Sequence, residues 1–392
     1  WRSFILNLPE GKGNQAMGRR LTLPKPKTYT QYGIIILIIK VFLSYTTFGK
    51  MIPYLDTVLS LVAVVYLGLS ILSKGYTIRT LFIYATIGLL GLYSSYCVRN
   101  VMIFVTILTI LAICGEKKTI LFLYKYEVFF FVLLGVISII MGNAKTYEGE
   151  GICLYFSFGY SHPNVTAAML FNIMIMWIWL SYDNMRYSTY FKLLAFSTVV
   201  YFVTGARTIL IVGVLTIFIV MLSKSERKWI QTGLAIIAGW IVPVLSFLFM
   251  YTTVNYQSGN AMIRVVDTFM TGRLKLGAYA YEHYGFTLLG QVVEKGTKFG
   301  YDALWNMSRF TTFDNLYTKL MINNGIIWLV IIAVSFWRLA KLKNNILSCM
   351  IIVWAVYAIT EGHGLNGYLC FPIFFIALII DKNRDDLEII DF

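Results

Sequence analysis

Long apolar stretches, separated by short polar segments, run through most of this 392-residue sequence and restrict the folds open to it. A helix needs about 20 mostly apolar residues to cross a bilayer. The stretches are continuous rather than alternating, which excludes a transmembrane β-barrel. They lie at residues 33–49, 54–73, 80–97, 100–115, 119–141, 165–182, 189–204, 208–222, 229–251, 314–337, 346–360 and 368–381.

The composition supports the same conclusion. Hydrophobic residues make up 58% of the chain and charged residues 13%, whereas an ordinary soluble domain has roughly 45–50% and 25%. These values exclude a soluble globular protein, a disordered chain and a disulfide-rich secreted domain. We therefore predict an all-α, polytopic integral membrane protein with about 12 transmembrane helices.

The sequence predicts three parts. Residues 1–30 form a polar, basic segment that lacks the apolar stretch of a secretory signal peptide, and we expect it to be cytoplasmic. Residues 31–381 form the transmembrane domain, with two longer outer loops at 142–164 and 252–313. Residues 382–392 form a cytoplasmic tail. The loop 252–313 is too long for a bare connector, so we expect it to fold.

The net charge of +14 follows the pattern of a membrane protein. With both ends cytoplasmic, the short inner loops hold twelve Lys and Arg and the short outer loops four, as the positive-inside rule requires. No basic face exists apart from these membrane flanks, so we expect no nucleic-acid partner. The five scattered cysteines form no CxxC or Cys/His pattern, so we predict no metal site and no disulfide framework.

Two arginines of the predicted outer side are candidate anion ligands, because arginine forms bidentate hydrogen bonds to phosphate. Arg207 lies between two apolar stretches and has no acidic neighbour in sequence. Its other interpretation is a side chain that reaches lipid head groups. Arg273 follows Thr271 and Gly272 in the long loop, where Thr271 could cap a helix, and the alternative for Arg273 is a solvated surface.

Two histidines of the same side lie in turn-forming segments. His162 and Asn164 flank Pro163, which predicts either a helix start capped by Asn164 or a substrate contact. Glu361 and His363 alternate with two glycines that allow close backbone approach. An acid two residues from a histidine can raise its basicity, and a plain polar turn is the alternative.

The segment that follows the long loop, Asp314 to Tyr317, is the last candidate. Asp314 could act as a base or cap the next helix. Tyr281, in the long loop, could stack on a sugar ring. The outer loops have no Asp-x-Asp and no dense carboxylate cluster, so a divalent metal site is not supported. Together these residues favour glycan transfer from a lipid-linked pyrophosphate.

Four short patterns, in this order, resemble those of the Wzy-type polysaccharide polymerases and the related O-antigen ligases of bacterial membranes. The resemblance covers most of residues 33–381. The patterns are Ser161–Asn164, Thr204–Arg207, Gly272–Arg273, and Asp314–Tyr317 with Gly325 eleven positions after Asp314. The ligases have a histidine that acts as base at the position of Asp314, so the aspartate favours a polymerase.

The resemblance implies a GT-C-like fold and a metal-independent glycosyltransferase without a cofactor. The enzyme would join undecaprenyl-diphosphate-linked repeat units at the outer face of the bacterial cytoplasmic membrane. Arg207 and Arg273 would bind the pyrophosphate, and Asp314 would be the general base, with His363 or His162 as rival. The residues expected to position substrate are His162, Asn164, Asn315, Tyr317, Glu361 and Tyr281.

The expected partners are the lipid-linked glycan donor and acceptor, membrane lipids, and a flippase and chain-length regulator. Two alternatives to a polymerase stay open. One is a ligase that moves finished glycans to another acceptor. The other is a transporter of lipid-linked sugar, which would need charged residues within its spans. Among the charged residues within the spans are Lys40, Lys125, Glu127 and Lys319.

Overall fold

The structure, a computed structural model, is built almost entirely of α-helices. It describes residues 26–46, 48–73, 78–113, 117–142, 146–148, 154–258, 260–294, 296–302, 305, 307–311 and 313–380. The predicted tail and most of the predicted N-terminal segment lie outside these residues. The segment's boundary was wrong, because the first helix already begins at Pro26.

Fifteen α-helices occur in the described residues. They are α1 (Pro26–Ser44), α2 (Leu55–Leu72), α3 (Ile78–Val98), α4 (Met102–Ala112), α5 (Lys117–Ile140), α6 (Pro163–Ser181), α7 (Tyr187–Thr204), α8 (Arg207–Ser223), α9 (Lys228–Val254), α10 (Ala261–Phe269), α11 (Arg273–Tyr284), α12 (Leu316–Lys319), α13 (Ile326–Ala340), α14 (Asn345–Thr360) and α15 (Ala377–Ile380).

The two predicted outer loops each contain an antiparallel hairpin. Strands β1 (Thr146–Glu148) and β2 (Leu154–Phe156) pair in the first loop, with Tyr147 opposite Tyr155. Strands β3 (Gly296–Asp302) and β4 (Met307–Thr311) pair in the second, with an irregularity between Thr297 and Tyr301. Helices α10 and α11 also lie in the second loop, which confirms that it folds.

Five helices are long and apolar enough to cross a membrane, which fits a helical membrane protein. They are α2, α3, α5, α6 and α9, and five shorter apolar helices accompany them. In the best window of α6, 61% of the residues are buried, against 22% in α2. Helix α6 is therefore central, whereas α2 presents an apolar face to the surroundings.

The hydrophobic core extends through most of the helices and includes a contact between α6 and α14. Trp354 and Tyr357 of α14 are fully buried. The Tyr357 ring stacks on Phe171 of α6 with a centroid distance of 5.3 Å. Such an aromatic contact adds roughly 0.5–1.5 kcal/mol to the burial of its area. Both helices also contact the irregular segments of the chain.

The helices run back and forth between two ends of the bundle, which we call the polar end and the basic end. At the polar end, Ser161 N donates to Tyr45 O at 2.6 Å, so the end of α1 meets the start of α6. At the basic end, Tyr182 shares a hydrogen bond with Ser223, and Asn345 Nδ2 donates to Ser223 O at 3.1 Å. Both predicted outer loops lie at the polar end.

The predicted span 314–337 is not one helix. It consists of α12, a π-helical turn over Leu320–Asn324, a break at Gly325 and α13. Gly325 has a φ of 111°, and a Cβ there would collide with the backbone of Leu288 and Leu289. Residues 285–294 run beside the break and bond its backbone: Thr287 N donates to Met321 O, and Ile326 N donates to Thr287 O, both at 2.9 Å.

The predicted span 368–381 is also irregular. The chain descends into the bundle as turns, forms a 3₁₀ helix over Phe371–Ile376, and continues as the short α15. Non-helical backbone at membrane depth needs partners within the protein. Thr106 Oγ1 donates to Leu365 O at 3.1 Å, and Phe371 N donates to Asn172 Oδ1 at 2.7 Å.

Candidate functional site

Six titratable side chains from separate parts of the chain come together at the polar end. They interact through a direct contact between Tyr45 and His363 and through the effects of charge on the pKa values of His162, Tyr45 and Glu361. We call them the Glu361 cluster: Tyr45, His162, Arg273, Asp314, Glu361 and His363. Five of the six are residues that the sequence singled out.

Glu361 lies where α14 ends, and its N–H donates to Tyr357 O at 3.0 Å. Burial raises the pKa of the Glu361 carboxyl to about 7, the positive charge of Arg273 opposes that rise, and the negative charge of Asp314 adds to it. Buried carboxyls gain a higher pKa because the ionised form loses its hydration. Glu361 can therefore exchange a proton near neutral pH.

The turn after Glu361 is held by close backbone contacts. A Cβ on Gly362 would overlap the carbonyl oxygen of Phe313, so the expected close approach is found. Lys319 Nζ donates to Gly362 O at 2.8 Å, and Trp354 Nε1 donates to Gly364 O, also at 2.8 Å. These bonds fix the segment that carries Glu361 and His363 next to the segment that carries Asp314.

Asp314 and Asn315 precede α12. Asp314 is exposed, whereas Asn315 is 3% exposed. Asn315, not Asp314, is the helix cap: its Oδ1 accepts from Thr318 N at 2.9 Å. Its Nδ2 donates to Ile359 O at 2.8 Å. Asn315 thus ties α12 to the end of α14, and both polar groups of its side chain are engaged within the protein.

His363 and Tyr45 connect the two parts of the cluster that are farthest apart in sequence. Tyr45 Oη lies 3.4 Å from His363 Nδ1, and the two rings meet edge to face with centroids 6.0 Å apart. Burial and the charge of Glu361 raise the pKa of Tyr45 to about 12, so the phenol stays neutral. The structure thus gives His363 an aromatic partner.

His162 caps α6. Its Nδ1 accepts from Asn164 N at 3.1 Å, and Pro163 occupies the first turn, where a missing N–H has no cost. The expectation that Asn164 is the cap was therefore wrong. Burial lowers the pKa of His162, and the charge of Asp314 opposes that effect. Asn164 is exposed beside it.

Arg273 is the first residue of α11. The expected cap Thr271 has a φ of 55° and Gly272 has a φ of 80°, so neither caps the helix through its side chain. The buried Asp267 takes that role: its Oδ1 accepts from Leu274 N at 2.8 Å, and its Oδ2 accepts from the Tyr256 hydroxyl at 2.7 Å. Asp267 therefore positions the helix that carries Arg273.

Arg207 begins α8 and is exposed. The preceding Gly205, with a φ of 69°, packs against the ring of Tyr155 in β2. Arg207 lies at the polar end, but it is not among the charges that shift the pKa of Glu361. Of the two predicted arginines, Arg273 is the one whose charge acts on the Glu361 carboxyl.

Two predicted aromatic contacts lie elsewhere. Tyr317 is fully buried, donates to Ala355 O at 3.0 Å, and stacks on Phe249, so its side chain packs within the core. Tyr281 packs on Phe286 with a centroid distance of 4.4 Å. Tyr281 supports the segment beside the broken span rather than the Glu361 cluster.

Sequence reasoning missed Tyr45, Asp267 and Lys319 as parts of the site. Tyr45 is one of 27 tyrosines, and nothing in its neighbourhood distinguishes it. Asp267 could have been recognised as the acid that shortly precedes a helix start. Within the described residues, no group of three or more His, Cys, Asp or Glu side chains could hold a metal ion.

The arrangement combines a cation, two carboxyls and two histidines on irregular backbone. It can attract an anion through Arg273 and accept a proton near neutral pH through Glu361. Comparison of the chain with protein-family models, with curated proteins and with solved structures finds no match. The function is therefore argued from the cluster and from the resemblance of the short patterns.

Proposed function

We propose that this protein is a membrane glycosyltransferase that polymerises undecaprenyl-diphosphate-linked repeat units into a surface polysaccharide. The observation that carries the proposal is the Glu361 cluster, which gathers a phosphate-binding cation, two acids and two histidines at one end of a membrane helix bundle. The proposal includes twelve membrane crossings, a GT-C-like fold and a polar end that faces outward from the bacterial cytoplasmic membrane.

The proposed reaction is a single displacement. The acceptor hydroxyl of an incoming repeat unit attacks the anomeric carbon at the reducing end of the growing chain. A new glycosidic C–O bond forms, and the bond from that carbon to the diphosphate oxygen breaks. Undecaprenyl diphosphate leaves with the electron pair, while a base takes the hydroxyl proton. No metal ion or cofactor takes part, and a flippase and a chain-length regulator are the proposed partners.

Arg273 is the proposed ligand of the departing diphosphate, because it is the cation that acts on Glu361. A positive charge at the position where negative charge develops lowers the barrier. Arg207, at the start of α8, would bind the outer phosphate or the lipid head-group region. Asp314 remains a candidate base, and Glu361 joins it because a pKa of about 7 suits a base at neutral pH.

The test is an in vitro assay of purified protein in nanodiscs with the lipid-diphosphate repeat unit of its own cell and EDTA. A ladder of added repeats on a gel is the expected result. Arg273→Gln should lower the rate by about 10²–10³-fold, as loss of one stabilising donor does. The matched control is Arg264→Gln, which removes an exposed charge from neighbouring α10 and should keep the ladder.

Two results would overturn the proposal. A normal ladder from Arg273→Gln would remove the assigned diphosphate ligand. Donor consumption that needs a separate acceptor and gives no ladder would identify a glycan ligase instead.

A second candidate function, transport of lipid-linked sugar, is favoured by one buried carboxyl. Glu127 of α5 is fully buried, its Oε2 accepts from Asn172 Nδ2 at 2.9 Å, and its Oε1 has no hydrogen-bond partner. Buried acids within membrane helices often mark proton or substrate pathways. Transport would predict that Glu127→Gln stops lipid-linked sugar from crossing a vesicle membrane, whereas a polymerase would retain its ladder in that variant.

A further inference from the structure

An elongated apolar cavity of 220 Å³ lies between α3, α4, α13 and the irregular segment near α15. Its walls are mainly isoleucines of these four elements. The cavity is not part of the Glu361 cluster. It runs along α13 from Trp328 to Arg338, ten residues at 1.5 Å each, or about 15 Å.

That length equals the hydrocarbon thickness of one leaflet, because the hydrocarbon core of a bilayer is about 30 Å thick. The cavity therefore matches the depth that one acyl chain occupies. An apolar cavity of this kind binds an apolar group readily, since there is little to hold water in it.

The two ends of the cavity differ in charge. Among the described residues that line it, Arg338 is the one that carries a charge, and it lies at the basic end with Ser335 one turn away. Residues three apart on a helix share a face, so both side chains lie on the face of α13 that lines the cavity. Arg338 makes no hydrogen bond or ion pair with any other residue that the structure describes.

The opposite end of the cavity is closed by neutral groups. Leu365 and Thr106 lie there, and the Thr106 hydroxyl already donates to Leu365 O. A lipid whose phosphate sat at the polar end would meet no cation at that mouth. The position of Arg338 instead favours a lipid phosphate at the basic end, with its chain directed towards Trp328.

We propose that this cavity is a binding site for one acyl chain of an anionic phospholipid from the leaflet at the basic end, with its phosphate on Arg338 and Ser335. Arginine suits this task because its planar fork binds phosphate oxygens. The bound acyl chain would fill the gap between α13 and the irregular segment that leads from His363 to α15. The proposal does not depend on the reaction assigned to the Glu361 cluster.

The test uses the intact protein in detergent after removal of bound lipid. It is titrated with phosphatidylglycerol that carries bromine in the distal half of its acyl chains, and tryptophan fluorescence is recorded. Trp328→Phe serves to isolate the signal of the tryptophan that lines the cavity. Quenching of Trp328 by brominated phosphatidylglycerol, and much weaker quenching by brominated phosphatidylcholine, is the expected result.

Two matched variants separate a specific site from general charge attraction. Arg338→Gln should raise the Kd for phosphatidylglycerol about tenfold or more, since a lost charge-assisted bond has this effect. Lys341→Gln removes a charge three residues further on, where the ammonium lies over the Trp337 ring at 3.3 Å, and should leave the Kd within about twofold. Both positions are exposed, so neither variant should unfold.

Two results would overturn the proposal. Equal weakening in both variants would show that phosphatidylglycerol responds only to the net charge of this end. Quenching of Trp328 by a brominated polyprenyl phosphate, without quenching by phosphatidylglycerol, would show that the cavity takes a chain from the polar end.

Discussion

Both ends of the bundle connect antiparallel helices, but the connections differ in structure. At the basic end the turns are short, and hydrogen bonds such as that between Tyr182 and Ser223 join the helices. Its lysines cover aromatic rings, as Lys224 does over Tyr182 at 4.0 Å. At the polar end the chain is irregular and brings together residues as distant as Tyr45 and His363.

This difference shows where the fold carries strain and buried charge. The basic end keeps its cations exposed, where an ion pair or ring contact contributes about 1 kcal/mol at most. The polar end buries Glu361 next to another acid, an arrangement that costs stability and is typical of functional sites. The comparison predicts that substitutions at the polar end change activity and those at the basic end do not.

The largest expected effect comes from the acidic pair. If Glu361 is the base, the polymerisation rate should rise about tenfold between pH 6 and pH 8, because the ionised fraction of a group with a pKa of about 7 rises from about 0.09 to about 0.91. Glu361→Gln should lower the rate at pH 8 by about 10²-fold or more and remove this dependence. A gel assay at several pH values measures both.

Asp314→Asn is the comparison for that experiment. A pH profile that persists in Glu361→Gln and disappears in Asp314→Asn would assign the base to Asp314.

The pH dependence of stability gives an independent check on the pKa of Glu361. The folded state holds the Glu361 proton more tightly than the unfolded chain, whose carboxyl has a pKa of about 4.3. The unfolding temperature should therefore fall as pH rises from about 4 to 7, and Glu361→Gln should flatten that fall.

A methyl group at Gly362 should have the next largest effect. It would overlap the Phe313 carbonyl and force apart the segments that carry Glu361 and Asp314. We expect Gly362→Ala to destabilise the protein by about 1–3 kcal/mol and to reduce polymer synthesis. Gly68→Ala in α2 is the control, since a Cβ there meets nothing within 4 Å. Equal unfolding temperatures for the two variants would contradict the close approach.

Removing the cap of α11 should have a smaller effect. Asp267→Ala leaves the N–H of Leu274 without its acceptor and should cost about 0.5–2 kcal/mol. It should also raise the KM for the lipid-linked donor, because Arg273 begins the same helix. Asp267→Asn keeps an acceptor oxygen and should restore most of the KM. A KM that does not respond to either variant would argue against a positioning role.

We expect the smallest effect on stability and activity from a substitution at the basic end. Lys224→Gln removes the ammonium that lies over the Tyr182 ring, and the change in unfolding free energy should stay below about 1 kcal/mol. Polymer synthesis should equal that of the wild type. A large loss of activity from this variant would break the comparison between the two ends.

Much of the architecture was predictable because apolar runs of sufficient length predict helices directly. The first nine predicted spans each overlap one of α1 to α9. The spans at 314–337 and 368–381 were wrong in detail, since a run of apolar residues does not reveal where the backbone finds other partners. Gly325 was a visible signal, but its break depends on Leu288, which is distant in sequence.

Most residues of the Glu361 cluster could be predicted from the sequence, but the contacts between them could not. Arg273, Asp314, Glu361, His162 and His363 were identified from residue type and predicted side. The bonds of Tyr317 and Asn315 to carbonyl oxygens were not predictable, because a polar residue beside a candidate acid does not show in sequence whether it faces a ligand or a neighbouring carbonyl. Tyr45 could not be found at all, since its partner lies 318 positions away.

That separation has a consequence for biosynthesis. A ribosome makes Tyr45 before α2 and His363 only after α14, thirteen helices later, so the site cannot close until that late stage of synthesis. Residues 361–376 then have to pack among helices that were made earlier. Thr106 and Asn172 of those helices provide hydrogen-bond partners for this segment. The site is therefore completed only when this late segment packs against helices made much earlier.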